Sequence, residues 1–417
     1  MQAVIAIPEL ASHMNEKQAT GMLMRPVAGV PLVMRTALTA ERAGARQVLL
    51  ICPAVLSERL VQRFSVELTR RGVQVATFRI CEFNPRAWSG WIILRPYLEK
   101  QFVWLPWNWV TTKQSITQLP LVKFDFVDWS KPASTTLHEI DREIASKVRS
   151  PWSAGGIAVT SSESVVAAER FLTATSGKVS DGIHTSFNRR LCRPFVRLLS
   201  HTRITPNAVT FGGVAVSILS AVAFAHGTYL WSVLGAFLFY IAGLFDEMDG
   251  MLARIKFAET PTGTWLEGAA DGLSYLLLFG GITIGLSRHY DAIAIWIGIV
   301  LLIGSILALI ATSLQRRRST TPDRPSEYLG RFYQLLEKDS GNWISRVVRQ
   351  VQAFQRRGIL IHYILLFTVL ALLPLLFLLA TLGAHLTWIL TLYFNRRFFT
   401  QSRTNVKSTV TTFKEAL

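Results

Sequence analysis

The stretch Asp246-Glu-Met-Asp249-Gly-Met-Leu-Ala-Arg, with Glu267 and Asp271 shortly after it, decides how this chain is built. It separates two apolar runs, 228–245 and 265–286. Asp246 and Asp249 are three residues apart, and Glu267 and Asp271 are four apart, so each pair lies on one face of its predicted helix. Acids within apolar helices are costly and usually mark a charged ligand. We predict two neighbouring helices that point four carboxylates into one space.

Four carboxylates in one space repel one another, and divalent cations relieve that repulsion. Sites made only of oxygen donors suit magnesium, calcium or manganese. The acidic stretch therefore predicts a divalent metal site.

The spacing of these residues resembles the signature of the CDP-alcohol phosphotransferase family, D-x2-D-G-x2-A-R-x8-G-x3-D-x3-D. The chain departs from it once, because Glu267 stands where the family has its third aspartate. Glutamate keeps the charge but is longer by one methylene. The signature is matched at Asp246, Asp249, Gly250, Ala253, Arg254, Gly263 and Asp271.

The resemblance implies transfer of a substituted phosphate from a CDP-linked donor to an alcohol, with release of CMP. By the same resemblance, Asp246, Asp249 and Glu267 hold two cations, Mg²⁺ or Mn²⁺, and Asp271 completes the metal site and takes the proton of the acceptor. A homodimer is also expected. The residues expected to bind CDP are Asp181, Asn207, Gly250, Ala253, Arg254 and Gly263.

Several of these residues have simpler explanations. Gly250 and Ala253 are equally explained by close packing of membrane helices, which favours small residues. Arg254 also fits a positive residue at the cytoplasmic end of a helix.

Two further landmarks before the acidic stretch resemble the same family. They are Asp181-Gly182 with Asn188-Arg189-Arg190, and Ile204-Thr-Pro-Asn-Ala-Val-Thr210. The resemblance thus covers about 181–397. Pro206 and Asn207 also make a sensible helix start, because proline suits the first turn.

Apolar residues are concentrated after Asn207, where we predict six membrane spans. A span needs about 20 apolar residues. The last run is too long for one helix, and Pro374 or Gly383 is expected to mark its turn. The runs are 207–225, 228–245, 265–286, 291–314 and 359–394.

The positive residues behind the net charge of +17 are distributed along the sequence as in a membrane protein. Arginines cluster before the first predicted span, between the fourth and fifth, and after the last, while the opposite loops carry almost none. This positive-inside pattern predicts a protein of the cell inner membrane with both termini and the acidic stretch in the cytoplasm, and it argues against nucleic acid as the partner. A phosphorylated acceptor would need a basic pocket, for which the candidates are Arg316, Arg317, Arg356 and Arg357. A solvated or lipid-facing surface explains the same charges.

The first half alternates strand-like and helical segments, which favours a parallel α/β sheet. Predicted strands are 3–7, 47–52, 73–80, 91–94 and 156–160, and predicted helices are 31–43, 56–71 and 164–174. The segment Arg25 to Arg35 resembles the opening of sugar-nucleotide nucleotidyltransferases. The stretch 8–17 lacks the glycines of a phosphate loop, and Asn108 stands where a metal-binding aspartate belongs. We expect a degenerate nucleotidyltransferase-like fold, with an unrelated α/β docking module as the alternative.

The junction at 183–201 is predicted to be an amphipathic helix. Its apolar and basic faces suit the headgroup layer of a membrane, although packing on the amino-terminal domain would explain them too. Phe187, Leu191, Phe195, Leu198 and Leu199 share one face, and Arg189, Arg190, Arg193 and Arg197 the other. The predicted organisation is an α/β domain over 1–178, the interfacial helix over 179–203, an all-α membrane domain of six helices over 204–397 and a cytoplasmic tail over 398–417.

The three cysteines, Cys52, Cys81 and Cys192, are scattered and predict neither a disulfide framework nor a zinc site. A non-catalytic alternative stays open for the whole chain. In that reading Glu267 disables the site, and the protein is a membrane scaffold or nucleotide sensor.

Overall fold

The computed structural model describes residues 1–7, 16–71, 77–82, 90–123, 135–140, 142, 155–177, 183–319, 334, 336, 339, 342–351 and 357–400. The chain forms two compact units. The α/β unit comprises Met1–Ser176 with the short segments Pro194–Arg203 and Arg254–Ala258. The helical unit comprises Gly177–Arg193, Ile204–Ala253 and Glu259–Leu417.

The α/β unit is built on a five-stranded sheet in the order β5-β4-β1-β6-β8. Strands β1, β4, β5 and β6 run parallel, and β8 pairs antiparallel with β6. Two small antiparallel pairs, β2-β3 and β7-β9, complete the strands. Their bounds are β1 Gln2–Ala6, β2 Pro26–Val27, β3 Val30–Pro31, β4 Gln47–Cys52, β5 Phe78–Glu82, β6 Gln101–Pro106, β7 Trp109–Thr111, β8 Val122–Lys123 and β9 Gly156–Ala158.

Alternation along the strands gives the sheet two buried faces. In β1, Ala3 and Ile5 belong to one apolar core, while Val4 between them belongs to the other. Successive side chains of a strand point to opposite faces, so this split is what a sheet covered on both sides requires. The helices of the unit are α1 Glu16–Leu23, α2 Leu32–Arg42, α3 Ala54–Arg70, α4 Gly90–Leu94, α5 Lys113–Thr117 and α6 Ser162–Thr175, with a 3-10 turn over Arg95–Tyr97.

One predicted strand is wrong, because residues 91–94 lie in helix α4. Periodicity does not distinguish helix from strand in so short an apolar run. Leu94 is buried, whereas Ile92 and Ile93 are exposed. The prediction of a strand over 73–80 is met only from Phe78 onward, and 72–76 lie outside the described residues.

The described residues from 183 to 400 are mainly helical. Helix α8 begins where the sequence predicts, because Thr205 caps it by accepting a hydrogen bond from the Ala208 backbone N–H and Pro206 fills the first turn. The helices are α7 Ile183–Ser200, α8 Pro206–Ala225, α9 Tyr229–Lys256, α10 Pro261–Ser319, α11 Trp343–Val351, α12 Arg357–Val369 and α13 Leu373–Asn395, with a π-helical turn over Arg396–Thr400.

Four of the described helices are long and apolar enough to cross a membrane: α8, α9, the Pro261–Gln315 part of α10, and Leu373–Phe398. Helix α10 leaves helical geometry at Asp291, where φ is 47°, so it consists of two helical segments. Helix α12 is apolar but shorter. The turn between α12 and α13 includes Ala371, where φ is 59°, three residues before Pro374. Of the two predicted turn markers, Pro374 is right, and Gly383 lies inside α13.

Helices α8 and α10 approach closely through glycines in α10. A Cβ built at Gly281 would lie 2.8 Å from the Ala221 Cα and closer still to the Ala221 carbonyl oxygen. A Cβ at Gly285, one turn later, would overlap the carbonyl oxygen of Phe224. Small residues four apart let membrane helices bring their backbones together. This packing places α10 against α8, the two helices that carry Asp271 and Thr210.

Helix α7 exposes the apolar face that the sequence predicts. Phe187, Leu191, Phe195 and Leu198 are all exposed. The predicted basic face is not uniformly solvated, because Arg189 is buried and its Nε lies 2.9 Å from an oxygen of Glu247. The interfacial position of α7 stays a prediction.

Candidate active site

The helical unit contains a narrow cavity, about 60 Å³ in volume, lined by α7, α8, α9, α10 and α12. Asp246 and Asp249 reach it from α9, and Asp271 reaches it from α10. Three of the four predicted carboxylates therefore line one space, whereas the prediction that Glu267 joins them is not met. We call this space the acid cavity. Its other polar linings are Asn188, Thr210, Ser217, Glu247, Ser274 and Tyr275.

Asp249 is the most buried of the motif acids, with 4% of its surface exposed. The Thr210 hydroxyl donates a hydrogen bond to its Oδ2. Its Oδ1 is buried and has no hydrogen-bond partner among the described residues. Buried carboxylate oxygens nearly always have a partner. The Asp249 oxygen therefore faces a position suited to a ligand.

Glu267 does not line the acid cavity, although it lies one helical turn before Asp271 on α10. The carboxylates of Glu267 and Asp246 still interact electrostatically with that of Asp249. Within the described part of the chain, no three His, Cys, Asp or Glu side chains come close enough together to hold a metal ion. The carboxylate oxygens of Asp246, Asp249 and Asp271 suit a divalent cation by their chemistry and line one cavity. In this arrangement they are not close enough together to hold an ion.

Four polar side chains that build this site had no predicted role in it: Asn188, Arg189, Tyr240 and Glu247. The Arg189–Glu247 ion pair fastens α7 to α9 beside the cavity. The Tyr240 hydroxyl donates to the Asn188 Oδ1 at 3.1 Å. Asn188 and Arg189 belong to a landmark of the family resemblance, which was the available signal for their importance.

The residues expected to bind CDP are only partly brought together. The Asn207 Oδ1 lies 3.5 Å from the position that a Cβ on Gly263 would take, so these two residues are neighbours. Gly250 and Ala253 lie on α9 but do not line the acid cavity. Arg254 belongs to the α/β unit, where its Nε donates to the Ser176 carbonyl at 2.8 Å. Asp181 lies outside the described residues.

Of the four arginines predicted to bind the acceptor phosphate, the structure describes the side chain of one. Arg317 is exposed near the end of α10. Arg356 and the side chains of Arg316 and Arg357 lie outside the described part of the structure. A basic pocket at these four residues remains a prediction.

Asn108 forms structural hydrogen bonds within the α/β unit. The Asn108 Nδ2 donates to the Val159 carbonyl at 3.3 Å, and the Val159 N–H donates to the Asn108 carbonyl at 2.8 Å. Asn108, which stands where a metal-binding aspartate belongs, thus uses its side chain for a hydrogen bond next to strand β9. Most of the stretch that would form the phosphate loop, 8–15, lies outside the described residues.

The cysteines carry no sign of chemistry at this site. All three are free and buried. Burial raises the pKa of the Cys52 thiol to about 12. The Cys192 thiol donates to the Leu244 carbonyl at 3.5 Å.

Comparison with known proteins gives a family match over most of the helical unit. The family model of the CDP-alcohol phosphatidyltransferases matches residues 203–393. Phosphatidylinositol phosphate synthase of Corynebacterium glutamicum is 28% identical over 103 residues, which are 24% of this chain and 46% of that protein. The enzyme of the same name from Mycobacterium marinum is 33% identical over 93 residues, 22% of this chain and 39% of that protein. The chain spans less than half the length of these relatives.

A solved structure is also similar. It is the phosphatidylinositol phosphate synthase of Mycobacterium tuberculosis with CDP-DAG bound, at 19% identity and a TM-score of 0.32, covering 49% of this chain and 92% of that one. The sequence motif and the family model agree on the same helices. Residues 203–393 therefore form a domain of the CDP-alcohol phosphatidyltransferase family.

Proposed function

We propose that this chain is an integral-membrane CDP-alcohol phosphotransferase. It moves a substituted phosphate from a CDP-linked donor, of the CDP-diacylglycerol or CDP-inositol type, to an alcohol and releases CMP, as a step of phospholipid or phosphodiester biosynthesis. One observation carries the proposal: Asp246, Asp249 and Asp271 line a single cavity between apolar helices. The family match over the same helices supports it.

Each acid has a role in the proposed reaction. Asp246, Asp249 and Glu267 would hold two divalent cations, Mg²⁺ or Mn²⁺, with Asp271 completing the site. When bound, such cations neutralise the charge of a pyrophosphate and make a hydroxyl more acidic. Thr210 fixes the Asp249 carboxylate by its hydrogen bond.

Asp271 takes the proton from the acceptor hydroxyl. The freed oxygen attacks the phosphorus of the substituted phosphate and forms the new phosphodiester bond. The bond from that phosphorus to the bridging oxygen breaks, and CMP leaves with this oxygen.

The remaining parts of the proposal concern the substrates and the membrane. The relatives are named for phosphatidylinositol phosphate synthesis, which supports a phosphorylated alcohol such as inositol phosphate as the acceptor. Asp181, Asn207, Gly250, Ala253, Arg254 and Gly263 would bind the CDP group, and the four arginines of the predicted basic pocket would bind the acceptor phosphate. We propose six spans, because α10 divides at Asp291 and α12 adds a short apolar helix. The charge distribution supports cytoplasmic termini in an inner membrane, and the family resemblance supports a homodimer.

We propose that the α/β unit is a degenerate nucleotidyltransferase-like fold that has lost nucleotidyl transfer and has a regulatory or dimer-supporting role. Its parallel strands in the order β5-β4-β1-β6 follow the arrangement of doubly wound sheets, which bind ligands beyond the carboxyl ends of their strands. The turn at Gly29, where φ is 74°, leads into α2, and a Cβ there would overlap the Ser200 carbonyl oxygen. The Lys256 ammonium donates to the Thr202 carbonyl at 2.9 Å. The segments Pro194–Arg203 and Arg254–Ala258 thus pack within the α/β unit.

One experiment tests both proposals. The purified full chain, in detergent with Mg²⁺ or Mn²⁺, is incubated with CDP-diacylglycerol or CDP-inositol and a panel of alcohols and phosphorylated alcohols. We expect CMP release that depends on both donor and acceptor. A parallel reaction with CTP and inositol phosphate, without a CDP-linked donor, should yield no CDP-alcohol. Absence of CMP with every pair would contradict transferase activity, and CDP-alcohol from CTP would make the protein bifunctional.

The position of Glu267 favours a second candidate, a catalytically impaired scaffold or nucleotide sensor. Glu267 does not line the acid cavity, and its side chain is longer than the family aspartate. If the enzyme works through an adapted site, Glu267→Asp should preserve or raise CMP release and change the preference for Mg²⁺ over Mn²⁺, because the carboxylate is drawn back by one methylene.

The measurement is the rate of CMP release across a titration of each metal. A scaffold would show no turnover in the wild type and a gain on Glu267→Asp. Complete loss of a measurable wild-type rate in Glu267→Asp would instead show that the surrounding helix requires the longer side chain.

A further inference from the structure

We propose that Asn188 is a ligand-binding residue of the acid cavity, where its side-chain amide donates hydrogen bonds to an anionic oxygen of the bound molecule. This inference rests on the proposed function for the identity of that molecule, a phosphate oxygen of a CDP-linked donor. The placement of the amide in the cavity stands on the structure alone. Asn188 belongs to α7, outside the acidic signature and outside residues 203–393 of the family match.

The Asn188 amide is fully buried and only half satisfied. The residue has 0% of its surface exposed and lines the same cavity as Asp246, Asp249 and Asp271. Its Oδ1 accepts the hydrogen bond from the Tyr240 hydroxyl. Its Nδ2 is buried and has no hydrogen-bond partner among the described residues. An amide nitrogen carries two donors, and a buried donor without a partner is destabilising.

The hydrogen-bond network assigns the oxygen and nitrogen ends of the Asn188 amide. The oxygen and nitrogen of an asparagine are assigned from the hydrogen-bond network. With its Oδ1 held by Tyr240, the amide of this cavity-lining residue has its N–H groups without a partner among the described residues, in a cavity that three carboxylates make negative. The same N–H groups are suited to an anionic oxygen brought into the cavity by a cation, since hydrogen bonds to charged acceptors are the stronger ones.

Two contacts that follow Asn188 along α7 hold this part of the helix against α9. The next residue, Arg189, forms the buried ion pair with Glu247 at 2.9 Å, with side chains 10% and 15% exposed. One turn later, the Cys192 thiol donates to the Leu244 carbonyl on α9. A side chain supported in this way is held in place before a ligand binds, which is what a binding group needs. Helix α7 is therefore a wall of the site as well as an interfacial helix.

The test compares Asn188→Ala and Asn188→Asp with the wild type in two binding measurements on the detergent-solubilised full chain. The first is titration with Mn²⁺ alone, followed by the electron paramagnetic resonance signal of free Mn²⁺. The second is binding of CDP-diacylglycerol in the presence of Mn²⁺. Asn188→Ala should weaken donor binding by about 10- to 100-fold, the value of a hydrogen bond to a charged group, and leave Mn²⁺ binding unchanged.

Asn188→Asp distinguishes a binding role from a structural one. This near-isosteric change adds a carboxylate to the acid cavity, so we expect tighter Mn²⁺ binding together with weaker donor binding. A purely structural residue would not shift the two affinities in opposite directions. Asn395→Asp is the matched control, because Asn395 is a buried asparagine, 4% exposed, that does not line the cavity.

Each outcome decides the inference. Donor and Mn²⁺ affinities that stay at wild-type values in both Asn188 variants would overturn it, as would equal shifts in Asn395→Asp. If the wild type binds Mn²⁺ but no CDP compound, the proposed function fails. The Mn²⁺ titration of Asn188→Asp then still shows whether the amide faces the acids, and an unchanged Mn²⁺ affinity would refute that placement.

Discussion

Asp249→Asn should lower CMP release by more than about a hundredfold, since even indirect disturbance of metal ligands costs 10- to 100-fold. Asparagine keeps the shape of the side chain and can still accept the Thr210 hydrogen bond. It removes the negative charge from the carboxylate whose Oδ1 is buried and has no hydrogen-bond partner in the described part of the chain. The measurement is the initial rate of CMP release at saturating donor, with Mg²⁺ or Mn²⁺ added back to EDTA-treated protein.

Asp291→Asn is the matched control for this change. Asp291 is exposed at the break in α10 and does not line the acid cavity. The control should keep the wild-type rate and the wild-type response to EDTA. An Asp249→Asn protein that is expressed normally and turns over at a near-native rate after EDTA treatment would show that the metal site has been assigned to the wrong residues.

Gly281→Ala should destabilise the helical unit by about 1–3 kcal/mol, the usual cost of forcing an extra methyl group into packed structure. The new Cβ would meet the Ala221 carbonyl oxygen and Cα of α8. These are backbone atoms, so a rotamer change offers no relief, and α8 and α10 must separate. The measurement is thermal unfolding of the purified protein in detergent. Because Thr210 and Asp271 lie on these two helices, we also expect reduced CMP release.

Gly280→Ala, at the adjacent residue, is the control. Nothing lies within 4 Å of a Cβ built there. Alanine is the better helix former by about 1 kcal/mol, so this variant should be as stable as the wild type or more so. Equal destabilisation of the two variants would argue against the close packing of α8 on α10.

The sequence alone predicted those features that depend on local spacing. Asp246 and Asp249 are three residues apart, so any helix through them presents both on one face. Pro206 and Asn207 are predicted as a helix start, and α8 begins at Pro206. The apolar and basic residues of α7 alternate with helical period, and its apolar face is exposed. Residues 91–94 were wrongly predicted as a strand, because a run of four apolar residues is too short to show whether its period is that of a helix or of a strand.

Only the tertiary structure decided which faces meet. The crossing and rotation of helices from distant parts of the chain bring Asn188 to the acid cavity and leave Glu267 beside it. Neither result is encoded in the spacing of neighbouring residues. Gly281 and Gly285 allow α10 to reach α8, but the partner backbone is known only from the fold. The sequence by itself therefore determined which chemical groups this protein presents. The packing of five helices determined which of them share one cavity, because burial and hydrogen-bond satisfaction are properties of the assembled helices.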